Sequence, residues 1–100
     1  MSKVFVLNEL ESRDYSTAIP YGELIFVTKG YVNLHDLGQL RRKLDSLIKF
    51  SNPSDYVIVI GPSVLIMLFG ILWFQKHGLM NVLAWNSQVK GYVPFVIGLG

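Results

Sequence analysis

Between Asp55 and Lys76 the chain runs for twenty residues, YVIVIGPSVLIMLFGILWFQ, without a charged side chain. A helix that crosses a bilayer needs roughly 20 apolar residues, so this run is long enough to be one. Gly61-Pro62 interrupts it. Ahead of the break, Tyr56–Ile60 is almost purely β-branched, which favours a strand. After it, Pro62 suits the start of a helix, where its missing N–H is not needed. The helix expected from Ser63 to about His77 is too short to span a membrane, and Gly78 supplies its C-cap. The segment therefore predicts strand, turn and buried helix, and a membrane is not an expected partner.

The flanking sequence extends this pattern. Lys3–Leu7 (KVFVL) is a continuous apolar run, as expected of a strand covered on both faces. Glu23–Thr28 reads as a second strand. From Leu34 to Phe50 the apolar positions Leu34, Leu37, Leu40, Leu44, Leu47 and Ile48 follow helical spacing, with Asn33 as the expected N-cap and Pro53 beyond the end. Met80–Trp85 and Tyr92–Ile97 read as a closing hairpin, whose Pro94 belongs on an edge strand. The expected fold is a single α/β domain over residues 1–100, small and Rossmann-like. Its order is β-β-α-β-α-β-β, with a mostly parallel sheet and a C-terminal antiparallel hairpin. The segment Glu9–Gly22 has no clear period; a connection of that length is functional or hides a short helix.

Composition narrows the partners. The chain is 51% hydrophobic and only 16% charged, so part of its surface is expected to be covered. The helix after Pro62 is apolar all the way round, which calls for enclosure on every side. A homodimer or higher oligomer is expected, with Leu65, Leu68, Phe69, Leu72 and Trp73 at the contact. A net charge of +2 gives no basic footprint, so neither DNA nor RNA is an expected partner. Arg41-Arg42-Lys43 reads as the solvated side of a helix. With no cysteine, disulfides and thiolate chemistry are excluded, which fits a cytoplasmic location. The amino-terminal stretch does not read as a signal peptide.

In open α/β sheets ligands bind beyond the carboxyl ends of the strands. The residues expected there are Asn8, Arg13, Tyr31, Gly61, Ser63 and Asn86. Backbone N–H groups at Ser63 and Val64, with the helix dipole, would favour a phosphate or carboxylate, and Gly61 would admit it closely. Arg13 would pair with an anionic group from the long first loop. Tyr15, Tyr21 and Tyr31 could stack on a base. No catalytic residue is expected: Ser63 lacks a nucleophile-elbow motif, and His35 and His77 sit at ordinary surface or capping positions. No metal site and no cofactor are expected.

The stretches KVFVLNE, YGELIFV, DYVIVIGPSVL, HGLMNVLAW and YVP together resemble a family of small α/β proteins of bacteriophages and prophages, which carries no activity to transfer. KVFVLN and the strand-glycine-turn-helix at Val57–Leu65 more loosely resemble the viral anti-CRISPR ring nucleases, dimeric α/β proteins that cleave cyclic oligoadenylates. That family has a catalytic histidine directly after the strand's glycine, where this chain has Pro62. The resemblance implies dimerisation and binding of a nucleotide-like anion, without the cleavage. The expected function is a homo-oligomeric, phage-type accessory protein of the host cytoplasm that binds a nucleotide-like or phosphorylated small molecule and sequesters a host defence signal. The alternatives are a phosphodiesterase or nucleotidase acting on a cyclic nucleotide, and an inhibitor docking on a host protein through the apolar helix 63–77.

Overall fold

The structure, a computed structural model, describes residues 2–98. Five strands form one sheet: β1 (Lys3–Val6), β2 (Glu23–Phe26), β3 (Tyr56–Ile58), β4 (Leu79–Asn86) and β5 (Gly91–Gly98), in the order β2-β1-β3-β4-β5. The first four are mutually parallel, and β5 closes an antiparallel hairpin on β4. This is the expected α/β fold. Pro94 lies on the outermost strand, opposite Leu83, where a residue without an N–H is tolerated.

The uncharged run divides at Gly61-Pro62 into β3 and α2 (Ser63–His77). Gly78 ends α2 in the left-handed conformation, φ 76°, with its N–H donating to the Phe74 carbonyl. Fifteen residues rise about 22 Å, short of the ~30 Å hydrocarbon core. Among the described residues, no helix is long and apolar enough to cross a membrane.

Alternation along the strands assigns side chains to the two faces. Phe5, Leu7, Val27, Val57, Met80 and Val82 meet α1 (Leu37–Lys49) and α2 on one face. Val4, Val6, Ile58, Leu83 and Tyr92 point to the other, where Tyr15 and Ala18 cover them. The long first connection is therefore a second layer. It contains a 3-10 helix, Ser16–Tyr21, and is pinned by Tyr15, whose hydroxyl accepts from the Leu10 N–H and donates to the Asn8 carbonyl. Tyr15 is buried against Tyr92, and half-buried Tyr21 packs edge-on to Tyr56.

Two expectations need correction. Helix α1 starts three residues later than expected: Asp36, not Asn33, is the N-cap, its carboxylate accepting from the Gln39 N–H at 3.0 Å. Asn33 instead accepts from the His35 N–H in a turn ahead of the helix. Of the five residues expected at an oligomer contact, Leu65, Phe69, Leu72 and Trp73 are buried against the chain's own sheet, and only Leu68 is half-buried. The outward stripe of α2 is Val64, Met67 and Ile71.

The ends of both helices meet at the amino edge of the sheet. The Lys76 ammonium donates to the carbonyls of Ile48, Lys49 and Ser51, closing the last turn of α1. Beside it, His77 Nε2 lies 2.8 Å from Ser51 Oγ and its ring packs on Trp73. Burial, and secondarily the Lys76 charge, hold the His77 imidazole below its ordinary pKa, against a weaker pull from Asp55. An unfolded chain therefore takes up this proton at a higher pH than the folded one. The stability tied to His77 is present above about pH 6.5 and is lost as pH falls through the folded value. Denaturation midpoints are expected to be flat just above that pH and to drop below it, with a shallower drop in His77→Gln. Asp14 is held low by the Ser16 N–H, and its contribution fades only in the carboxylate range, so the two effects separate on the pH axis.

Candidate functional site

The connection from β1 to β2 crosses one face of the sheet, whereas β2 reaches β3 through α1 on the other. The chain thus switches direction between β1 and β3, and a crevice at such a point is the usual ligand position in an open α/β sheet. Asn8 follows β1 there, and Gly61-Pro62-Ser63 follow β3.

Asn8 is buried, 4% exposed, and its side-chain amide meets the Thr28 hydroxyl at 3.1 Å, while that hydroxyl donates to the Leu7 carbonyl at 2.6 Å. Gly61 adopts φ +123°, and a Cβ there would lie 2.9 Å from the Asn8 Cβ. The missing side chain is thus required by Asn8 itself, which seats the end of β1 against the end of β3. Gly61→Ala is expected to cost about 1–3 kcal/mol, through backbone strain and displacement of Asn8, read as a lower urea midpoint with unchanged slope. Ser63 opens α2 and is exposed. Pro62 provides no side-chain cap, so the first N–H groups of α2 face outward with the positive end of the helix dipole.

Next to the switch point, a recess of about 330 Å3 opens between the end of β2 and the start of α1. Thr28, Lys29, Tyr31, Gln39 and Lys43 are among its walls, together with the N-cap carboxylate of Asp36, which is engaged by the Gln39 N–H. Thr28 joins the two places, since it meets the Asn8 amide and also lines the recess. Tyr31 stands 86% exposed on the rim. The Lys29 ammonium lies 4.0 Å from the Glu9 carboxylate, a contact too long and too solvated to neutralise it. Lys43 was read from the sequence as part of a solvated face. The spacing 36, 39, 40, 43 puts it on the same side as the N-cap, a signal usable once the cap is placed at Asp36.

The remaining expected residues lie elsewhere. Arg13 stands against Trp85 on the β4 side of the sheet. The Asn86 side chain accepts from the N–H groups of Gln88 and Val89 and closes the β4–β5 turn. The structure thus brings Asn8, Gly61 and Ser63 together, links Tyr31 to them through Thr28, and separates Arg13 and Asn86. Among the described residues, no group of three or more His, Asp and Glu side chains is placed to hold a metal ion.

No curated protein and no solved structure matches the chain. The comparison with protein families is positive. Residues 2–99 match the family described as phage Pam3 gp32-like protein, nearly the whole length, and the chain belongs to that family.

Proposed function

We propose that this phage protein is a non-catalytic binding module for a nucleotide-like, phosphorylated small molecule, acting in the host cytoplasm. Sequestration of a host defence signal would be one use of it. The observation that carries this reading is the adjacency, through Thr28 and Asn8, of a lysine-lined recess and the uncapped amino end of a 15-residue helix at the switch point. Phosphate oxygens would accept from the N–H groups of Ser63 and Val64 and from Asn8, with Lys29 and Lys43 supplying charge and Tyr31 a face for a base. Thermal-shift measurements against cyclic di- and oligonucleotides and NAD derivatives test it. A ligand at 100 times its Kd stabilises by about 2.7 kcal/mol, roughly 10–20 °C in a domain of this size. That shift should be lost in a Lys29→Ala, Lys43→Ala double variant. No stabilisation by any anionic ligand overturns the reading, and turnover of the bound ligand would make it a phosphodiesterase or nucleotidase instead.

The same proposal includes self-association. Met67 and Ile71 are 64% and 55% exposed, and with Val64, Leu68 and Leu37 they line an apolar groove between the helices. Such a patch on a lone protein is an aggregation liability. Light scattering is expected to give a dimer or larger mass, reduced by Ile71→Lys. A stable monomer would favour the second reading, in which this groove docks on a host protein.

A further inference from the structure

The ladder between β3 and β4 has only two register pairs among the described residues, Tyr56 with Asn81 and Val57 with Val82, although β4 continues to Asn86. Beyond them the strands part, and a cleft of about 330 Å3 opens between Ile58–Ile60 and Leu83–Trp85. Its walls are almost wholly apolar, with Trp85, Phe95 and Tyr92 among them. Arg13 stands at the cleft and also lines a second hollow with Ser12, Asp14 and Trp85.

Tyr92 is the unusual member. It is 5% exposed, stacked on Tyr15 and edge-on to Trp85, and its hydroxyl has no hydrogen-bond partner among the described residues. A buried hydroxyl without a partner is costly and uncommon. Burial is the main influence on it and keeps the phenol protonated, so it has a proton to donate. The Arg13 guanidinium reaches toward the hydroxyl, near enough for its hydrogen bonding and its charge to oppose the effect of burial, although no well-aligned bond forms.

We propose that this cleft binds a small carboxylate with an apolar body, whose carboxylate accepts from the Tyr92 hydroxyl and the Arg13 guanidinium while the body lies against Trp85, Leu83 and Ile60. Arg13 sits on an exposed loop and can move aside to let the acceptor reach the hydroxyl, its planar fork then matching the carboxylate. A single charge suits the site. Only two donors serve it, and Asp14, held by the Ser16 N–H, opposes a multiply charged anion. The site is distinct from the phosphate reading, because it uses the β3–β4 gap and none of the recess lysines.

Titration of isotopically labelled protein with phenylacetate, and separately with octanoate, tests the proposal by nuclear magnetic resonance. Saturable shifts are expected at the Trp85 indole N–H and at the amides of Leu83, Ala84 and Tyr92. Tyr92→Phe should be at least as stable as the wild type, because the hydroxyl it removes has no partner, yet bind about tenfold more weakly, as should Arg13→Gln. Absence of saturable shifts with both probes overturns the proposal. So does a Tyr92→Phe variant that binds as tightly as the wild type. A Tyr92→Phe variant less stable than the wild type overturns it too, since the hydroxyl would then have a protein partner.

Discussion

Replacing Trp73 by alanine is expected to destabilise the protein by about 3–5 kcal/mol, the largest effect of any single truncation in this chain. Trp73 is fully buried, and its ring packs edge-on to Phe5 at 5.6 Å, stacks on Phe69 at 5.5 Å and carries His77 at 4.7 Å. Its indole N–H donates to the Leu79 carbonyl at 2.9 Å, tying α2 to the start of β4. Alanine leaves a cavity between helix and sheet together with an unpaired carbonyl. Natural domains hold about 5–15 kcal/mol in total, so this loss removes a large share of it. Trp73→Phe keeps most of the volume and should cost less, chiefly the hydrogen bond. Urea titrations of the three proteins check the ranking. An alanine variant within about 1 kcal/mol of the wild type would mean that α2 does not rest on the sheet as described.

The second large effect is expected at Asp55. Its carboxylate is fully buried and accepts from the Lys3 N–H through one oxygen and the Asn52 N–H through the other, both at 2.9 Å. It thereby fixes the turn ahead of β3 and the start of β1, two strands that lie side by side. Asp55→Ala leaves two part-buried N–H groups without their acceptor and a cavity where the carboxylate was, each donor costing up to about 1–3 kcal/mol, so a loss of roughly 2–5 kcal/mol is expected. Asp55→Asn keeps one acceptor but turns an NH2 toward an N–H, and should fall near the same value. Amide hydrogen exchange adds a local readout: Lys3 and Asn52 should lose protection in the alanine variant before the core strands do. Unchanged stability and protection would contradict this.

Asp55 illustrates what the sequence leaves open. It is one of the two charges bounding an apolar run, and only the fold shows that it turns inward while Lys76 reaches across to the end of α1. The Gly61-Pro62 division was legible, because β-branched residues before a proline and helix formers after it leave one economical solution, and Gly78 marks the end as clearly. The start of α1 was not. Asn33 and Asp36 can both accept from a backbone N–H two or three residues ahead, and both do so, but only one of those turns continues as a helix. The inward side of α2 was hidden for a different reason. Apolar residues surround the helix, so periodicity cannot separate Leu65, Phe69, Leu72 and Trp73 from Val64, Met67 and Ile71. The first connection lacks a period because its buried members, Tyr15 and Ala18, answer to the sheet beneath them and not to their own backbone repeat.

The candidate site divides in the same way. The position of Asn8, Gly61 and Ser63 at the β1–β3 crevice was legible because carboxyl ends of parallel strands can be counted along the sequence. Lys43 was missed because helix rotation, which is not written locally, brings it to the recess beside the end of β2. Arg13 and Asn86 were assigned to the right edge of the sheet but sit on its β4 side, one engaged at a cleft and the other in a turn.

Amide chemical-shift mapping during titration with a cyclic dinucleotide tests most directly whether the β1–β3 crevice and its recess hold a phosphorylated ligand. Saturable shifts are expected at Asn8, Lys29, Tyr31, Gly61, Ser63 and Val64, with the strand β5 amides unmoved. Saturable binding that leaves those residues still and moves others would contradict the account.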